Sequence, residues 1–319
     1  MKKFMKVCAI VVAVIFGIGI VMFTVGGCGG GIKQAGQQIL NGKLNIGPEN
    51  FAFNWDEKWI WNEDWESYDL NEQDLFDGSA EVIRDRESWT CDFTAEEIKN
   101  LEIQLGGCEV TITASPDESY HILASRVEAL QAYVQGETLH VRGLKTGGWN
   151  LSNNIYMAVT LQVPADTLLY NVNLSFGAGD FEIVALKAQS MEIEVGAGRL
   201  QMNELQADTL ACQLGAGQVI FDNAAVTGDV SLEAGVGELR FTGNISGNLT
   251  AECAMGNMEI VILGSEEKDH NYDLECAAGN LTAGSVTKSG LASEEYIDNH
   301  AASTYALSCS MGNLELTFR

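Results

Sequence analysis

The sequence predicts an all-β fold, a β-helix-like β-solenoid with coils of about 19 residues, preceded by an N-terminal transmembrane helix. Three observations lead to this prediction. Glycines recur at nearly fixed intervals in the second half of the chain, apolar residues alternate on both sides of each glycine, and an uncharged apolar run lies near the N-terminus. The 319 residues include 34 glycines and only 3 prolines, which is typical of a strand-rich chain with many tight turns.

The repeat is marked by the second glycine of a G-x-G turn, or by its equivalent. Successive marker glycines are 19, 19, 20, 19, 23 and 33 residues apart, and a period near twenty residues indicates stacked coils. The markers are Gly179, Gly198, Gly217, Gly237, Gly256, Gly279 and Gly312.

Each marker glycine has apolar or small residues seven, five and three positions before it and two and four positions after it. Alternation with period two indicates half-buried strands, and stacked coils would bury these residues in one core. An antiparallel sandwich is the alternative, but it leaves the constant phase of the repeats unexplained. We expect one inward column three positions before the glycines: Phe176, Val195, Leu214, Ala234, Cys253, Cys276 and Cys309.

The inward positions change from odd to even offsets at each marker glycine, so the chain must turn there. Glycine adopts positive φ without a steric penalty, and we expect the marker glycines to use that freedom. In the last three repeats an asparagine follows the glycine, at Asn257, Asn280 and Asn313. We expect these asparagines to take over part of the left-handed backbone.

These repeat motifs resemble the bacterial DUF4097 family, whose members are often labelled as adhesins. The resemblance covers about residues 98–319 and includes the segment 161–164, LQVP, the segment 172–183, VNLSFGAGDFEI, and the closing segment 310–316, SMGNLEL. It implies a membrane-anchored, extracytoplasmic β-repeat protein, in some cases encoded with envelope-stress genes. It implies no catalytic residues.

Residues 1–31 are predicted to be the membrane anchor and a glycine-rich linker. Residues 7–25 carry no charge and would span about 28 Å as a helix, close to the hydrocarbon thickness of a bilayer. Lys2, Lys3 and Lys6 precede this run, so we expect a cytoplasmic N-terminus and an extracytoplasmic body. The segment Val25-Gly26-Gly27-Cys28 resembles a lipobox, which makes a lipoprotein attached through Cys28 the alternative.

Residues 32–97 are predicted to be an acidic, tryptophan-rich spacer and cap, and residues 98–319 the repeat domain. Trp55, Trp59, Trp61 and Trp65 lie among acidic residues. We interpret them as packing over an open end of the coil stack, with an interfacial anchor or a ligand platform as alternatives.

The charge of the body disfavours nucleic-acid binding. After residue 31 the chain has 15 basic and 44 acidic residues, a net charge of −29, which repels nucleic acid and anionic lipid. Four positions before the marker glycine lies a row containing Glu194, Glu233, Glu252 and Glu275. Stacked carboxylates of this kind could bind Ca²⁺ weakly, but we interpret the row as a solvated acidic face.

We predict no enzyme activity, no catalytic, cofactor-binding or metal-binding residues, and no cofactor. The chain has no C-x-x-C pair, no G-x-S-x-G and no H-E-x-x-H, and its four histidines are scattered. The cysteines of the repeats are expected to be small core residues, and adjacent coils could bring Cys253 close to Cys276.

The wider spacings of 23 and 33 residues contain insertions, near Gly264–Asn271 and Gly284–Thr304. Both follow the second strand of a coil, so we expect them on one side of the stack, as a candidate partner-binding face or as tolerated loops. The function that these features favour is a non-catalytic surface binding or adhesin-like module with a cell-envelope or protein partner. An accessory of envelope-stress signalling and a carbohydrate-active β-helix enzyme are the alternatives.

Overall fold

The computed structural model of the protein describes residues 43–46, 51–54, 76–78, 80–144, 157–165, 167–289 and 292–319. The chain forms two compact units, residues 1–74 and residues 75–319. The predictions for residues 7–25, Cys28 and the tryptophans at 55–65 lie outside the described residues. No helix in the described ranges is long and apolar enough to cross a membrane.

The described regular structure consists of strands and two 3₁₀ turns, Ala95–Glu97 and Glu267–Asp269, which confirms the all-β prediction for this part of the chain. In the first unit, β1 (Lys43–Ile46) pairs with β2 (Phe51–Asn54) in antiparallel fashion. The second unit contains one sheet of fifteen strands. Its strands are β3 (Ile83–Thr94), β4 (Asn100–Ala114), β5 (Ser119–Gln135), β6 (Thr138–Leu144), β7 (Met157–Val163), β8 (Leu169–Val226), β9 (Val230–Ile245), β10 (Leu249–Cys253), β11 (Asn257–Ile262), β12 (His270–Cys276), β13 (Asn280–Ala283), β14 (Val286–Ser289), β15 (Ser293–Ile297), β16 (Ser303–Cys309) and β17 (Asn313–Phe318).

Successive coils pair in parallel and in register. Leu210 of β8 pairs with Val230 of β9, and Val230 pairs with Leu249 of β10, so equivalent positions of the repeat lie above one another. The seven side chains of the predicted inward column are all 3% exposed or less, which confirms their inward orientation. The core therefore runs the length of the stack as columns of equivalent residues.

The coils of β8 also bury a third group of residues, which was not predicted from the sequence. In two of these coils the group includes Leu186 with Ala188 and Leu205 with Ala207, all 5% exposed or less. In β8 this group begins three positions after the preceding inward residue, an odd interval, so the chain must turn a further corner there. One such corner holds Asn223 at φ 56°, next to the irregularity in register between Phe221 and Ala224 that accommodates the single 20-residue spacing.

The marker glycines form a column in which each backbone lies directly on the next. A Cβ at Gly217 would lie 2.0 Å from the carbonyl oxygen of Gly198, and a Cβ at Gly256 would lie 2.3 Å from that of Gly237. The predicted positive φ is present at only three markers: Gly179, Gly217 and Gly237. At the other four the prediction is wrong, because close approach of the backbones, and not positive φ, excludes a side chain there.

The asparagines after the last three markers do not adopt the predicted left-handed backbone, since none of them has positive φ. They stack instead. Asn257 pairs in register with Asn313, which pairs with Asn280, and the Asn313 side-chain amide donates a hydrogen bond to Oδ1 of Asn257 over 3.1 Å. Asn313 and Asn257 thus each satisfy one side-chain polar group of the other at the turn.

At the N-terminal end, β4 pairs in phase with the start of β8, and Cys108 occupies the marker position opposite Gly179. Along the other edge of β4 lie β6 and β7. They are followed by β5 and then β3, each antiparallel to its inner neighbours. The segment 83–94, predicted to belong to the spacer and cap, thus forms the outermost strand at this end.

At the C-terminal end, the order of the coils in space differs from their order in the chain. The last coil, β16 with β17, lies between β10–β11 on one side and β12–β13 on the other. Beyond β12 and β13, β15 and β14 pair in antiparallel fashion and close the stack. From β3 to this end there are about twelve layers of strands, which at ~4.8 Å per layer give a stack roughly 50 Å long.

Candidate binding surface

The acidic row four positions before the marker glycines is interrupted, and only part of it, including Glu233 and Glu252, is half-buried. Parallel pairing places Glu233 beside Glu252, but Ser308 of the inserted last coil lies between Glu252 and Glu275. Burial raises the pKa of Glu233, and the nearby Glu252 raises it further. The pKa of Glu252 is raised by burial first and by Glu275 second.

The crossed order of the coils therefore breaks the row that the sequence had suggested for Ca²⁺. Among the described residues, no group of three or more His, Cys, Asp or Glu side chains is arranged to hold a metal ion. The row is an acidic stripe with mutual repulsion, and it supplies negative charge to one outward face of the stack.

The two insertions contact each other and so lie together in the stack, as expected, but the second is folded into strands. In the second, β14 and β15 fold back as antiparallel strands onto β13 and β12. The first contributes the 3₁₀ turn Glu267–Asp269, and the Glu267 carboxylate accepts hydrogen bonds from the backbone N–H (2.9 Å) and the hydroxyl (2.6 Å) of Ser285. We call residues 264–271 together with residues 284–289 and 292–304 the C-terminal cap.

A polar network ties the C-terminal cap to the core. The ring nitrogens of buried His270 contact the hydroxyls of Ser303 (Nδ1, 2.7 Å) and Ser265 (Nε2, 3.0 Å), and its ring stacks on Tyr305 with centroids 4.0 Å apart. Burial lowers the pKa of His270, which favours the neutral ring. Asn271 adds a second anchor, since its Oδ1 accepts the backbone N–H groups of Asn299 and Ala301 at 2.9 and 3.1 Å.

A serine hydroxyl against an imidazole is the pairing used in nucleophilic catalysis, where a third group orients the base. Here the third group is the Ser303 hydroxyl and not a carboxylate. Ser303 is 8% exposed and His270 is 5% exposed, so the ring lies within the core beside Tyr305 and Phe318. We therefore interpret Ser265, His270 and Ser303 as the attachment of a loop.

The remaining histidines lie far apart along the chain. His121 bridges Asp92 of β3 (Nδ1, 2.7 Å) and Asp117 (Nε2, 3.0 Å), and these two hydrogen bonds raise its pKa. The arrangement fastens the outermost strand β3 to the turn before β5. His140 lies 3.2 Å from Glu102, and His300 lies 3.3 Å from Asp298 at the surface.

The C-terminal cap presents an exposed aromatic ring on an ordered strand. Tyr296 of β15 is 62% exposed, the highest value among the large hydrophobic side chains of the described residues. Beside it on β15, Glu295 forms an ion pair with Lys288 of β14, and Asp273 of β12 faces Tyr296 in the register. Tyrosine is enriched at protein interfaces, because its ring buries apolar area and its hydroxyl can form a hydrogen bond.

Two shallow grooves lie on the outward faces of the coils. One, of about 360 Å³, is lined by Arg199, Arg240, Glu259 and Arg319 among others. The second, of about 400 Å³, is lined by Ser190, Thr209, Asp229, Asn248 and neighbouring residues. In the second groove the side chains satisfy one another, since Thr209 donates to Ser190 and Asn248 donates to Asp229.

All six described cysteines are free thiols. Five of them are buried, as expected for small core residues, and Cys91 of β3 is partly exposed. The expected proximity of Cys253 to Cys276 is wrong, because the inserted last coil places Cys309 between them.

The sequence pattern of the family described as Toastrack DUF4097 matches residues 98–316. None of the curated proteins matches the chain. Several solved structures are similar to it at low identity. A "putative adhesin" from Bacteroides fragilis NCTC 9343 is 13% identical, with 74% of this chain and 98% of that chain covered and a TM-score of 0.40.

Two further similar structures come from other bacteria. A "putative lipid binding protein" from Parabacteroides distasonis ATCC 8503 is 12% identical, with 74% of this chain and 98% of that chain covered and a TM-score of 0.34. A "putative cell adhesion protein" from Clostridium sporogenes ATCC 15579 is 10% identical, with 73% of this chain and 99% of that chain covered and a TM-score of 0.32.

Proposed function

Because this chain belongs to the Toastrack DUF4097 family, whose pattern covers residues 98–316, we propose that it is a β-solenoid of the bacterial cell envelope that binds a partner without catalysis. In this proposal the solenoid is a rigid spacer, and the C-terminal cap makes the contact. Residues 7–25 hold the protein in the membrane as an uncleaved helix, with the N-terminus in the cytoplasm.

The observation that carries the proposal is the position of the C-terminal cap. It closes the stack at the end opposite to β3, where the chain from the proposed anchor enters. A stack roughly 50 Å long would hold the cap well away from the tethered end. The cap is also fixed in place by the contacts of His270, Asn271 and Glu267.

The charge of the body supports the same arrangement. A net charge of −29 after residue 31 repels anionic lipid headgroups, so the body would stand off the bilayer and not lie on it. It also disfavours nucleic acid as the partner. A protein or another component of the cell envelope is the partner class that remains.

Attachment is tested by producing the full chain in a bacterial host and separating soluble from membrane fractions. We expect the wild-type chain and Cys28→Ala to stay in the membrane fraction equally. Protease added to cells with a permeabilised outer layer and an intact cytoplasmic membrane should degrade the body. Release of Cys28→Ala into the soluble fraction, with a lipid label on wild-type Cys28, would show the lipoprotein instead.

Binding is tested on cells that display the full chain, by measuring their adhesion to other cells and to immobilised envelope fractions. Tyr296→Ala removes the exposed ring of the C-terminal cap. Tyr170→Ala is the matched control, because this tyrosine is also exposed (46%) but lies at the start of β8 in the N-terminal half of the stack. We expect adhesion to fall with Tyr296→Ala and to persist with Tyr170→Ala; equal adhesion by both variants would remove the C-terminal cap from the proposal.

A further inference from the structure

Three thiols form a continuous ladder inside the last coils. Cys253 pairs in register with Cys309, and Cys309 pairs in register with Cys276. All three are 2% exposed or less. Paired residues of neighbouring strands have Cα atoms about 5 Å apart, which is within the range of about 4.4–6.8 Å that disulfides require.

The sulfur atoms of Cys253 and Cys309 pack against marker glycines, which have no side chain to displace them. A Cβ at Gly312 would lie 2.8 Å from Sγ of Cys253, and a Cβ at Gly279 would lie 2.7 Å from Sγ of Cys309. Each sulfur therefore leans toward the next coil of the stack, Cys253 toward the coil of Cys309 and Cys309 toward the coil of Cys276. Cys309 is the central thiol and has two neighbours.

The contacts distinguish the two neighbours. The Cys253 thiol donates over 3.8 Å to the carbonyl oxygen of Asn313, which lies in the coil of Cys309. The Cys276 thiol donates instead to the carbonyl oxygen of Gly279 over 3.2 Å, and burial raises its pKa. The Cys253 thiol thus reaches into the coil of Cys309, whereas the Cys276 thiol is held within its own coil.

We propose that Cys253 and Cys309 form a disulfide, with Cys276 left as a free thiol. In the reaction, the Cys253 thiolate attacks a small-molecule disulfide such as glutathione disulfide, and one glutathione leaves as a thiolate. The Cys309 thiol then loses its proton and displaces the second glutathione, so two cysteines are oxidised and one glutathione disulfide is reduced to two thiols.

The bond would fasten the inserted last coil to the coil of β10 and β11. It would enclose β12, β13 and the C-terminal cap in one covalent loop of the chain, between residues 253 and 309. Formation in the cell rests on the proposed extracytoplasmic location, because a reducing cytosol keeps thiols free. Formation in the purified protein does not rest on it.

The chemistry is tested with the purified full chain equilibrated in a glutathione redox buffer. The protein is unfolded in acid, its free thiols are alkylated, and it is digested without reduction for mass spectrometry. We expect a cross-linked peptide pair containing Cys253 and Cys309, with Cys276 and Cys212 alkylated. A cross-link between Cys276 and Cys309, or alkylation of Cys253, Cys276 and Cys309 alike, would overturn the assignment.

Variants give a second measurement. Cys276→Ser should keep the cross-link and the loss of thermal stability on adding dithiothreitol, while Cys253→Ser should abolish both. Cys212→Ser is the matched control, because Cys212 is equally buried but pairs with Leu232. If Cys253→Ser still responds to dithiothreitol as the wild type does, the proposal is wrong.

The same alkylation on freshly lysed cells separates the two proposals. The cross-link in the purified protein together with fully reduced cysteines in the cell would count against the extracytoplasmic location, and it would leave the disulfide chemistry standing.

Discussion

Replacing Gly217 with alanine tests whether backbone contact along the glycine column holds the coils in register. The added Cβ would lie 2.0 Å from the carbonyl oxygen of Gly198 and 2.9 Å from its nitrogen, whereas ordinary van der Waals contact begins near 3.4 Å. The obstacle is backbone and not the flexible end of a side chain, so the two coils would have to separate locally. That separation would lengthen the hydrogen bonds between them.

Two costs combine at this site. Overpacking of a tight contact costs about 1–3 kcal/mol. Holding a non-glycine residue at φ +133° costs a further 1–3 kcal/mol or so. We therefore expect Gly217→Ala to lower the free energy of unfolding by roughly 2–6 kcal/mol, a large share of the ~5–15 kcal/mol typical of a folded protein.

Two control substitutions separate the costs. Gly136 has φ +63° but nothing within 4 Å of an added Cβ, so Gly136→Ala measures the cost of a left-handed backbone without overpacking. Gly78 also has open space and no φ in the left-handed range, so Gly78→Ala should be close to neutral. Unfolding of each full-length variant is followed by circular dichroism in urea and on heating. A Gly217→Ala protein no less stable than Gly136→Ala would refute the role assigned to the column.

Three further substitutions test other parts of the stack. Leu205→Ala, in the third inward row at 1% exposure, should cost about 2–5 kcal/mol in urea unfolding, whereas Val184→Ala, at 39% exposure, should change stability by less than ~0.5 kcal/mol. Burial lowers the pKa of His270, so its stabilising contribution is present above the ordinary value of 6.5 and is lost as the pH falls through the lower folded pKa. In His270→Gln the urea midpoint should therefore depend less on pH between about pH 7 and pH 5. A midpoint that falls with pH as steeply as in the wild type would contradict this. Burial, and then Glu275, raise the pKa of Glu252, so its contribution to stability is lost as the pH rises and the carboxyl ionises. Glu252→Gln should therefore raise the melting temperature near pH 7 but hardly near pH 4. An equal gain at both pH values would exclude ionisation as the cause.

The parts of the fold that could be predicted are those with strong apolar alternation. Residues such as Leu174 and Phe176 before a marker glycine, and Phe181 and Ile183 after it, were correctly placed in the core. The third inward row was missed because its members include Ala188 and other small residues, whose identity says little about burial.

The order of the coils could not be predicted for a different reason. The coils of Cys253, Cys276 and Cys309 have nearly the same pattern, so each could pair equally well with several others. The choice depends on the long segment 284–304, which provides two capping strands and allows the chain to return between its own earlier coils. Both the broken acidic row and the placement of Cys309 follow from that return.

The inserted last coil sets a limit on how this protein can be assembled during synthesis. The coils up to β11 can add one at a time as the ribosome delivers them, each docking on its predecessor. The segment of β12 and β13 has no such template, because its parallel neighbours are β16 and β17, which are made later. Until β16 and β17 emerge, one edge of β10 and β11 remains unpaired. A nascent chain arrested before that point would expose unpaired backbone N–H and C=O groups, which chaperones or proteases could recognise.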